Sequence, residues 1–157
     1  MAPAPIVIAV DTNLLVYAHR RLIPEHGRAR RAIEAACAHP QGWGISLASV
    51  SEFWAVVTHA AARRRPSRPG EASGFLRALV EDGGMHIWTP GVGFAERLTQ
   101  LAVDLKVSGV RIFDLQIALT AFEQGAHELW THDAEFVRVP GLRVRDPLDS
   151  PHALARS

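Results

Sequence analysis

Hydrophobic and polar residues follow two different periods along this chain, and the changes between them predict where strands and helices lie. Short runs in which consecutive residues are apolar, such as residues 6–10, are typical of strands buried on both faces of a sheet. Longer segments place apolar residues three or four positions apart, as at positions 50, 53, 54 and 57. That spacing puts the apolar side chains on one face of a helix.

The pattern predicts five strands, at residues 6–10, 44–47, 85–89, 128–131 and 142–145. It predicts six helices, at residues 14–21, 26–38, 49–61, 70–82, 93–105 and 112–125. Because strands alternate with helices, we expect an α/β fold in which a mainly parallel sheet is covered by helices on both faces. One domain is expected over residues 1–147, followed by a C-terminal tail at residues 148–157.

The length and composition are typical of a single packed domain. The chain has 157 residues, of which 48% are hydrophobic and 21% are charged, so a substantial core can form. Cys37 is the only cysteine, which excludes an internal disulfide and a cysteine metal site and favours a cytoplasmic location. No apolar run approaches the roughly 20 residues that a membrane span requires.

The net charge of +1 does not by itself indicate a nucleic-acid-binding protein. Arginines are nevertheless concentrated in two segments, where they either contact phosphates or form solvated surfaces. The first segment contains Arg20, Arg21, Arg28, Arg30 and Arg31, and the second contains Arg63, Arg64, Arg65 and Arg68.

Four acidic residues occupy comparable places relative to the predicted strands and helices. Asp11 and Asp133 each follow a strand, Glu52 is expected in the first turn of the helix after the second strand, and Asp114 lies near the start of the last helix. The carboxyl ends of parallel strands share one edge of the sheet, where ligands bind in such folds. Asp114 joins the other acids only if its helix begins at that edge.

Each acid taken alone also has a purely structural interpretation. Asp11 is suited to cap the helix that follows it. Ser49 and Glu52 have the spacing of a capping box, and Asp114 suits the positive end of a helix dipole. Thr131 or Asp133 is suited to cap a short helical turn.

The four acids together indicate a cation site. Two carboxylates about 4 Å apart repel by about 4 kcal/mol at an effective dielectric constant of 20, so a cluster requires protons or a cation. Carboxylate oxygens in an open site suit magnesium or manganese. Such ions promote the hydrolysis of phosphodiesters.

Four segments in this order resemble the PIN domain, with the strongest likeness to the VapC-type toxins of bacterial toxin–antitoxin pairs. The segments are VDTNLLVYA, SLASVSEF, VSGVRIFDLQIALTA and LWTHDAEF. The resemblance implies a three-layer α/β/α sandwich and a magnesium-dependent endoribonuclease, with manganese as an alternative ion. It also implies a homodimer and a small antitoxin protein as partner.

The resemblance assigns the catalytic carboxylates to Asp11, Glu52, Asp114 and Asp133. Asn13 and Thr131 match polar positions that support the site. We expect Asp11 and Asp114 to hold the principal metal ion, Asn13 to hydrogen-bond Asp11, and Thr131 to hydrogen-bond Asp133 or the attacking water.

The sequence departs from the family pattern near two of the acids. Phe113 stands where a polar residue is common before the third acid, and Gln116 follows where a small or apolar residue is usual. The last motif reads DAEF, which leaves open whether Glu135 assists Asp133. All four carboxylates are present, so we expect an active enzyme.

Two other functions are compatible with parts of the sequence. A catalytically silent module that binds RNA or protein would keep the fold without cleavage. A metal-independent nuclease based on histidine is disfavoured, because none of the eight histidines forms a close pair such as H-x-x-x-H in the sequence and most are expected at the surface.

Overall fold

The computed structural model of this chain describes residues 7–60 and 65–149. Its strands are β1 (Val7–Val10), β2 (Trp43–Ser46), β3 (Met85–Trp88), β4 (Ala126–Trp130) and β5 (Arg143–Arg145). Its helices are α1 (Thr12–His19), α2 (His26–Cys37), α3 (Leu47–Thr58), α4 (Pro69–Glu81), α5 (Phe94–Asp104) and α6 (Arg111–Glu123). None of these helices combines the length and apolar character that crossing a membrane would require.

The five strands form one parallel sheet in the order β3-β2-β1-β4-β5. The chain begins at the central strand, moves outward through β2 and β3, and then crosses to β4 and β5 on the other side. The direction of winding therefore changes between β1 and β4. In open parallel sheets this change leaves a crevice at the carboxyl ends of the strands, which is the usual ligand site.

Helices cover both faces of the sheet, which confirms the predicted three-layer α/β/α sandwich. Alternate residues of β1 face opposite layers, as the period of a strand requires. Ile8 and Val10 pack in the core with α1 to α4, whereas Ala9 packs in the core with α5 and α6. All three residues are at most 2% exposed, which explains why β1 is apolar on both faces.

Two helices begin earlier than the periodicity predicts, and in both cases a polar cap explains the difference. Helix α1 begins at Thr12 rather than Leu14, because the Asp11 side chain accepts a hydrogen bond from the Thr12 backbone N–H. Helix α3 begins at Leu47 rather than Ser49, because Ser46 Oγ accepts from the backbone N–H of Ser49.

The alternative interpretation of Ser49 and Glu52 as a capping box is therefore wrong. Ser46 is the cap, and Ser49 is the third residue of the helix. Glu52 lies in the second turn of α3 rather than the first, and its exposed carboxylate has no capping role.

Two further residues differ from their sequence-based assignments. Trp54, one of the apolar positions that predict a helix face and that we expect in the core, is 38% exposed, because the buried stripe of α3 runs through Ser49, Phe53 and Val57. Leu148 is only 2% exposed and packs in the core with α1 to α4. Packed structure thus continues to Leu148, and residues 150–157 of the predicted tail lie outside the described residues.

Candidate active site

The six residues that the sequence singles out lie around the carboxyl ends of β1, β2 and β4. Asp11 directly follows β1, and Asn13 is the second residue of α1. Thr131 and Asp133 follow β4. The remaining two acids come from helices that contact each other: Glu52 from α3, and Asp114 from the first turn of α6.

The Thr131 hydroxyl connects the residues that follow β1 with those that follow β4. It donates to Asp11 Oδ2 at 2.8 Å, and it accepts from Asn13 Nδ2 at 3.2 Å and from the backbone N–H of Asp133 at 3.1 Å. A hydroxyl has one donor and two acceptor positions, so its hydrogen-bonding capacity is complete. Since Thr131 is 1% exposed, the hydroxyl itself is shielded from water, whereas its bonds to Asn13 and Asp133 are only partly buried.

These contacts correct the expected partners of Asn13 and Thr131. Asn13 bonds Thr131 rather than Asp11, and it steadies Asp11 through that hydroxyl. The Thr131 hydroxyl donates to Asp11. Asp133 bonds to the same hydroxyl through its backbone N–H and not through its carboxylate. The Asn13 side chain also accepts from the backbone N–H of His132 at 3.4 Å, which ties the loop after β4 to α1.

Asp11 has an unusually high pKa for an aspartate. The pKa rises from 3.8 to about 7, chiefly because burial removes water from the carboxylate, with smaller contributions from the charges of Glu52 and Asp114. The hydrogen bonds from Thr131 and the Thr12 backbone act in the opposite direction. Burial therefore outweighs two favourable hydrogen bonds, and Asp11 is poised between its neutral and charged forms near pH 7.

Asp114 lies in the same electrostatic field. Partial burial is the main cause of its raised pKa, followed by the charges of Asp133 and Glu52, while Arg111 lowers it. Glu52 therefore acts on both Asp11 and Asp114, while Asp114 acts on Asp11 and Asp133 acts on Asp114. Glu135 is exposed, its backbone N–H donates to Asp133 Oδ1 at 2.9 Å, and its carbonyl accepts from Arg111 Nη2 at 2.6 Å, so these contacts are made by its backbone.

The donor set fits a hard divalent cation. It consists of carboxylate oxygens, which magnesium and manganese prefer, and two of the carboxyl groups have raised pKa values that a nearby cation would lower. Over residues 7–60 and 65–149, no three of these four carboxylates have oxygens within 4.8 Å of one another. Among the described residues, these four acids therefore do not form a preassembled set of three carboxylate ligands.

A group with closer ligand atoms lies beside this cluster, formed by His132, Asp146 and Asp149. His132 Nδ1 is 2.8 Å from Asp146 Oδ2, and Asp146 Oδ1 accepts from the backbone N–H of Leu148 at 2.8 Å. The protein itself thus occupies both oxygens of Asp146. We interpret the group as a hydrogen-bonded turn rather than a second cation site.

Tyr17 and the partners of His132 were not identified from the sequence, which shows only that His132 lies beside Asp133. The rings of Tyr17 and His132 meet edge to face with centroids 6.0 Å apart. Burial raises the pKa of the Tyr17 hydroxyl, and the charges of Glu25, Asp11, Asp133 and Asp146 raise it further. The only available signals were the Tyr in VDTNLLVYA and the position of His132 between Thr131 and Asp133.

Several arginines of the two basic segments make contacts within the protein. Arg28 donates to the carbonyl of Leu148 at 2.9 Å, Arg30 pairs with Glu34 at 3.1 Å, and Arg65 pairs with Glu71 at 3.4 Å. Arg63 and Arg64 lie outside the described residues. Some arginines of the two basic segments therefore bond to groups of the protein itself, which explains their presence without a phosphate ligand.

Comparison with known proteins identifies the family. A family model described as PIN domain matches residues 8–142 of this chain. The chain belongs to the PIN-domain family. The match spans β1 to Leu142 and so includes every residue of the acidic cluster, and the family resemblance found in the sequence is confirmed.

Curated relatives of this PIN domain cover nearly its whole length. Ribonuclease VapC43 of Mycobacterium tuberculosis is 32% identical over 143 residues, which represent 91% of this chain and 97% of that protein. VapC ribonuclease Mb2897 of Mycobacterium bovis matches with the same identity and coverage. Ribonuclease VapC48 of Mycobacterium tuberculosis is 26% identical over 141 residues.

Solved structures share the PIN fold. VapBC2 from Rickettsia felis, crystallised with promoter DNA, matches with a TM-score of 0.65 and 18% identity over 90% of this chain and 98% of that one. VapC20 of Mycobacterium tuberculosis, described as a toxin that cleaves the sarcin–ricin loop, matches with a TM-score of 0.62 and 16% identity over 82% and 92% of the two chains. At these identities the similarity establishes the fold.

Proposed function

We propose that this protein is a magnesium-dependent endoribonuclease and the toxin of a toxin–antitoxin pair. The observation that carries the proposal is the coupling of four carboxylates at the carboxyl edge of the sheet, where burial and mutual repulsion raise the pKa values of Asp11 and Asp114. The relatives named as ribonucleases, which match at 32% identity over nearly the full chain, support the same activity.

In this proposal the carboxylates divide into two roles. Asp11 and Asp114 hold the divalent ion directly, while Glu52 and Asp133 complete the pocket and orient water. When bound, magnesium would supply activation of the water nucleophile and neutralise charge on the phosphoryl oxygens. Thr131 and Asn13 keep the Asp11 carboxylate in one orientation through the bonds at 2.8 and 3.2 Å.

The proposed activity is tested by removing one charge at a time. Asp11→Asn and Asp114→Asn should each reduce magnesium-dependent RNA cleavage by about 100-fold or more, since a metal ligand contributes several kcal/mol to the transition state. Asp104→Asn is the matched control, because Asp104 lies at the end of α5 and bonds only Gln100 among the hydrogen bonds of the described residues. Full activity of both site variants would refute the scheme.

The same assay separates this proposal from the two other functions. Cleavage that persists in EDTA would support a histidine-based nuclease. RNA or protein binding without cleavage, and without magnesium binding, would support a catalytically silent module.

The antitoxin is the proposed protein partner, and a cavity of about 840 Å³ lined by α1, α2 and α4 is a suitable place for a segment of it. Ile33, Phe75 and Leu79 give the cavity apolar walls, and arginines including Arg21 line it as well. The structural neighbours include complexes of the VapBC and FitAB type.

Co-production tests the partnership. The product of the gene adjacent to this one should co-purify with the protein and inhibit cleavage. A free protein that elutes at twice 17.1 kDa would support the proposed homodimer, and a monomer at all concentrations would contradict it.

A further inference from the structure

His132 is held in place from several directions, next to the acidic cluster. Its backbone N–H donates to Asn13, its Nδ1 is 2.8 Å from Asp146 Oδ2, and its ring meets the edge of Tyr17. Strand pairing explains why residues 14 positions apart meet: Trp130 of β4 lies beside Arg145 of β5, so the residues after them reach the same edge.

Asp146 is itself anchored to the core. Its Oδ1 accepts from the backbone N–H of Leu148 at 2.8 Å, and Leu148 is 2% exposed. The carbonyl of Leu148 accepts from Arg28 Nη1 at 2.9 Å, which connects this turn to α2. A carboxylate held in this way offers His132 a fixed acceptor.

The contact with Asp146 determines the hydrogen position on the neutral imidazole ring. A carboxylate accepts hydrogen bonds and does not donate them, so Nδ1 carries the hydrogen and Nε2 presents a lone pair. Within residues 7–60 and 65–149, no protein group bonds to Nε2. The side chain is 28% exposed, so part of the ring is accessible to solvent, and His132 directly precedes Asp133 in the chain.

We propose that His132 Nε2 accepts a hydrogen bond from the ribose 2′-hydroxyl of the nucleotide next to the scissile phosphate, with Asp146 as the positioning residue. The inference rests on the proposed ribonuclease function and adds a means of selecting RNA. The 2′-hydroxyl is the group that distinguishes RNA from DNA at a given position. Nε2 has no hydrogen-bond donor among the described residues, and a ribose 2′-hydroxyl can supply one. Deoxyribose has no 2′-hydroxyl and cannot.

The test uses a short RNA whose cleavage position has been mapped by sequencing the ends of its fragments. A second copy carries 2′-fluorine in place of the 2′-hydroxyl at the nucleotide next to the scissile phosphate, since fluorine cannot donate a hydrogen bond. Wild-type protein should cleave the hydroxyl form about 5- to 10-fold faster, the value of one hydrogen bond. His132→Phe keeps a ring against Tyr17 and should cleave both forms at one reduced rate.

Asp146→Asn provides a second variant that leaves the imidazole in place. The amide can still accept from Leu148 while its NH₂ group faces Nδ1, which then becomes the acceptor and transfers the ring hydrogen to Nε2. The 2′-hydroxyl oxygen can accept a hydrogen bond from Nε2–H, so the preference for the hydroxyl form should fall below the wild-type value rather than disappear. A purely structural defect would slow both substrates and leave their ratio unchanged. His127→Phe is the control, because His127 is exposed near the other end of β4.

An unchanged hydroxyl-to-fluorine ratio in His132→Phe or Asp146→Asn would overturn the inference while leaving the ribonuclease function intact. If the wild type cleaved no RNA, the proposed ribonuclease function would fail. The inference about the 2′-hydroxyl would then be tested separately, by measuring the affinity of the protein for RNA. Wild-type protein should then bind a random-sequence RNA pool about 5- to 10-fold more tightly than its 2′-fluoro counterpart. Equal affinity for both pools would overturn it.

Discussion

Replacing Asp11 by asparagine should change how the stability of the protein depends on pH. Asp11 is 7% exposed, and its pKa is about 7 in the folded protein against an ordinary value of 3.8. A carboxyl group whose pKa is higher when folded binds its proton more tightly in the folded state. Folding stability is therefore lost as the pH rises from 3.8 towards 7.

The size of the effect follows from linkage. With these two pKa values, ionisation of Asp11 lowers the free energy of unfolding by about 2.5 kcal/mol between pH 5 and pH 8. Asparagine does not ionise, so Asp11→Asn removes this contribution. The NH₂ group of the asparagine would also face the Thr131 hydroxyl, which donates to Asp11 in the native protein. Placing two donors opposite each other costs about 1 kcal/mol at every pH.

Urea unfolding at pH 5 and pH 8, with the protein freed of metal by EDTA, measures the difference directly. The wild type should lose about 2.5 kcal/mol more than Asp11→Asn between the two pH values. Asp104→Asn should behave like the wild type, which accounts for the other titrating groups. Equal losses in wild type and Asp11→Asn would refute the reasoning, because burial would then not oppose the charge on Asp11.

Two further substitutions test individual buried hydroxyls. Thr131→Val removes the hydroxyl that takes part in three hydrogen bonds and should lower the free energy of unfolding by about 3 kcal/mol. Thr131→Ser keeps the hydroxyl and should lower it by only about 1 kcal/mol. Equal losses of the two variants in urea unfolding would contradict the role of the hydroxyl. Thr12 is 3% exposed, and in the described part of the chain its Oγ1 has no partner, so Thr12→Val should raise the melting temperature and add about 1 kcal/mol of stability. A lower melting temperature would mean that this hydroxyl does contribute to folding.

The sheet was predictable because its strands are buried on both faces. An apolar run such as β1 needs no information from the rest of the chain to be recognised, and alternation with helices then favours a parallel sheet. The positions of Asp11, Thr131 and Asp133 follow, since residues after parallel strands share one edge. The start of α3 did not follow, because Ser46 and Ser49 are both competent caps and the end of β2 decides between them.

Contacts between distant segments were beyond the reach of the sequence. The pair of His132 and Asp146 exists because β5 lies beside β4, with Trp130 opposite Arg145, and no local pattern indicates that neighbour. The partners of Thr131 also depend on the spacing between β1 and β4. The roles of the four acids remain a prediction, supported by their mutual effects on pKa.

The central claim is that these carboxylates form a divalent-ion site for RNA hydrolysis. The most direct measurement is the rate of RNA cleavage by EDTA-treated protein as magnesium is added back, alongside Asp114→Asn. We expect no cleavage without the ion, a rate that rises and saturates with magnesium in the wild type, and almost no response in Asp114→Asn. Cleavage at the same rate in EDTA and in magnesium would contradict it.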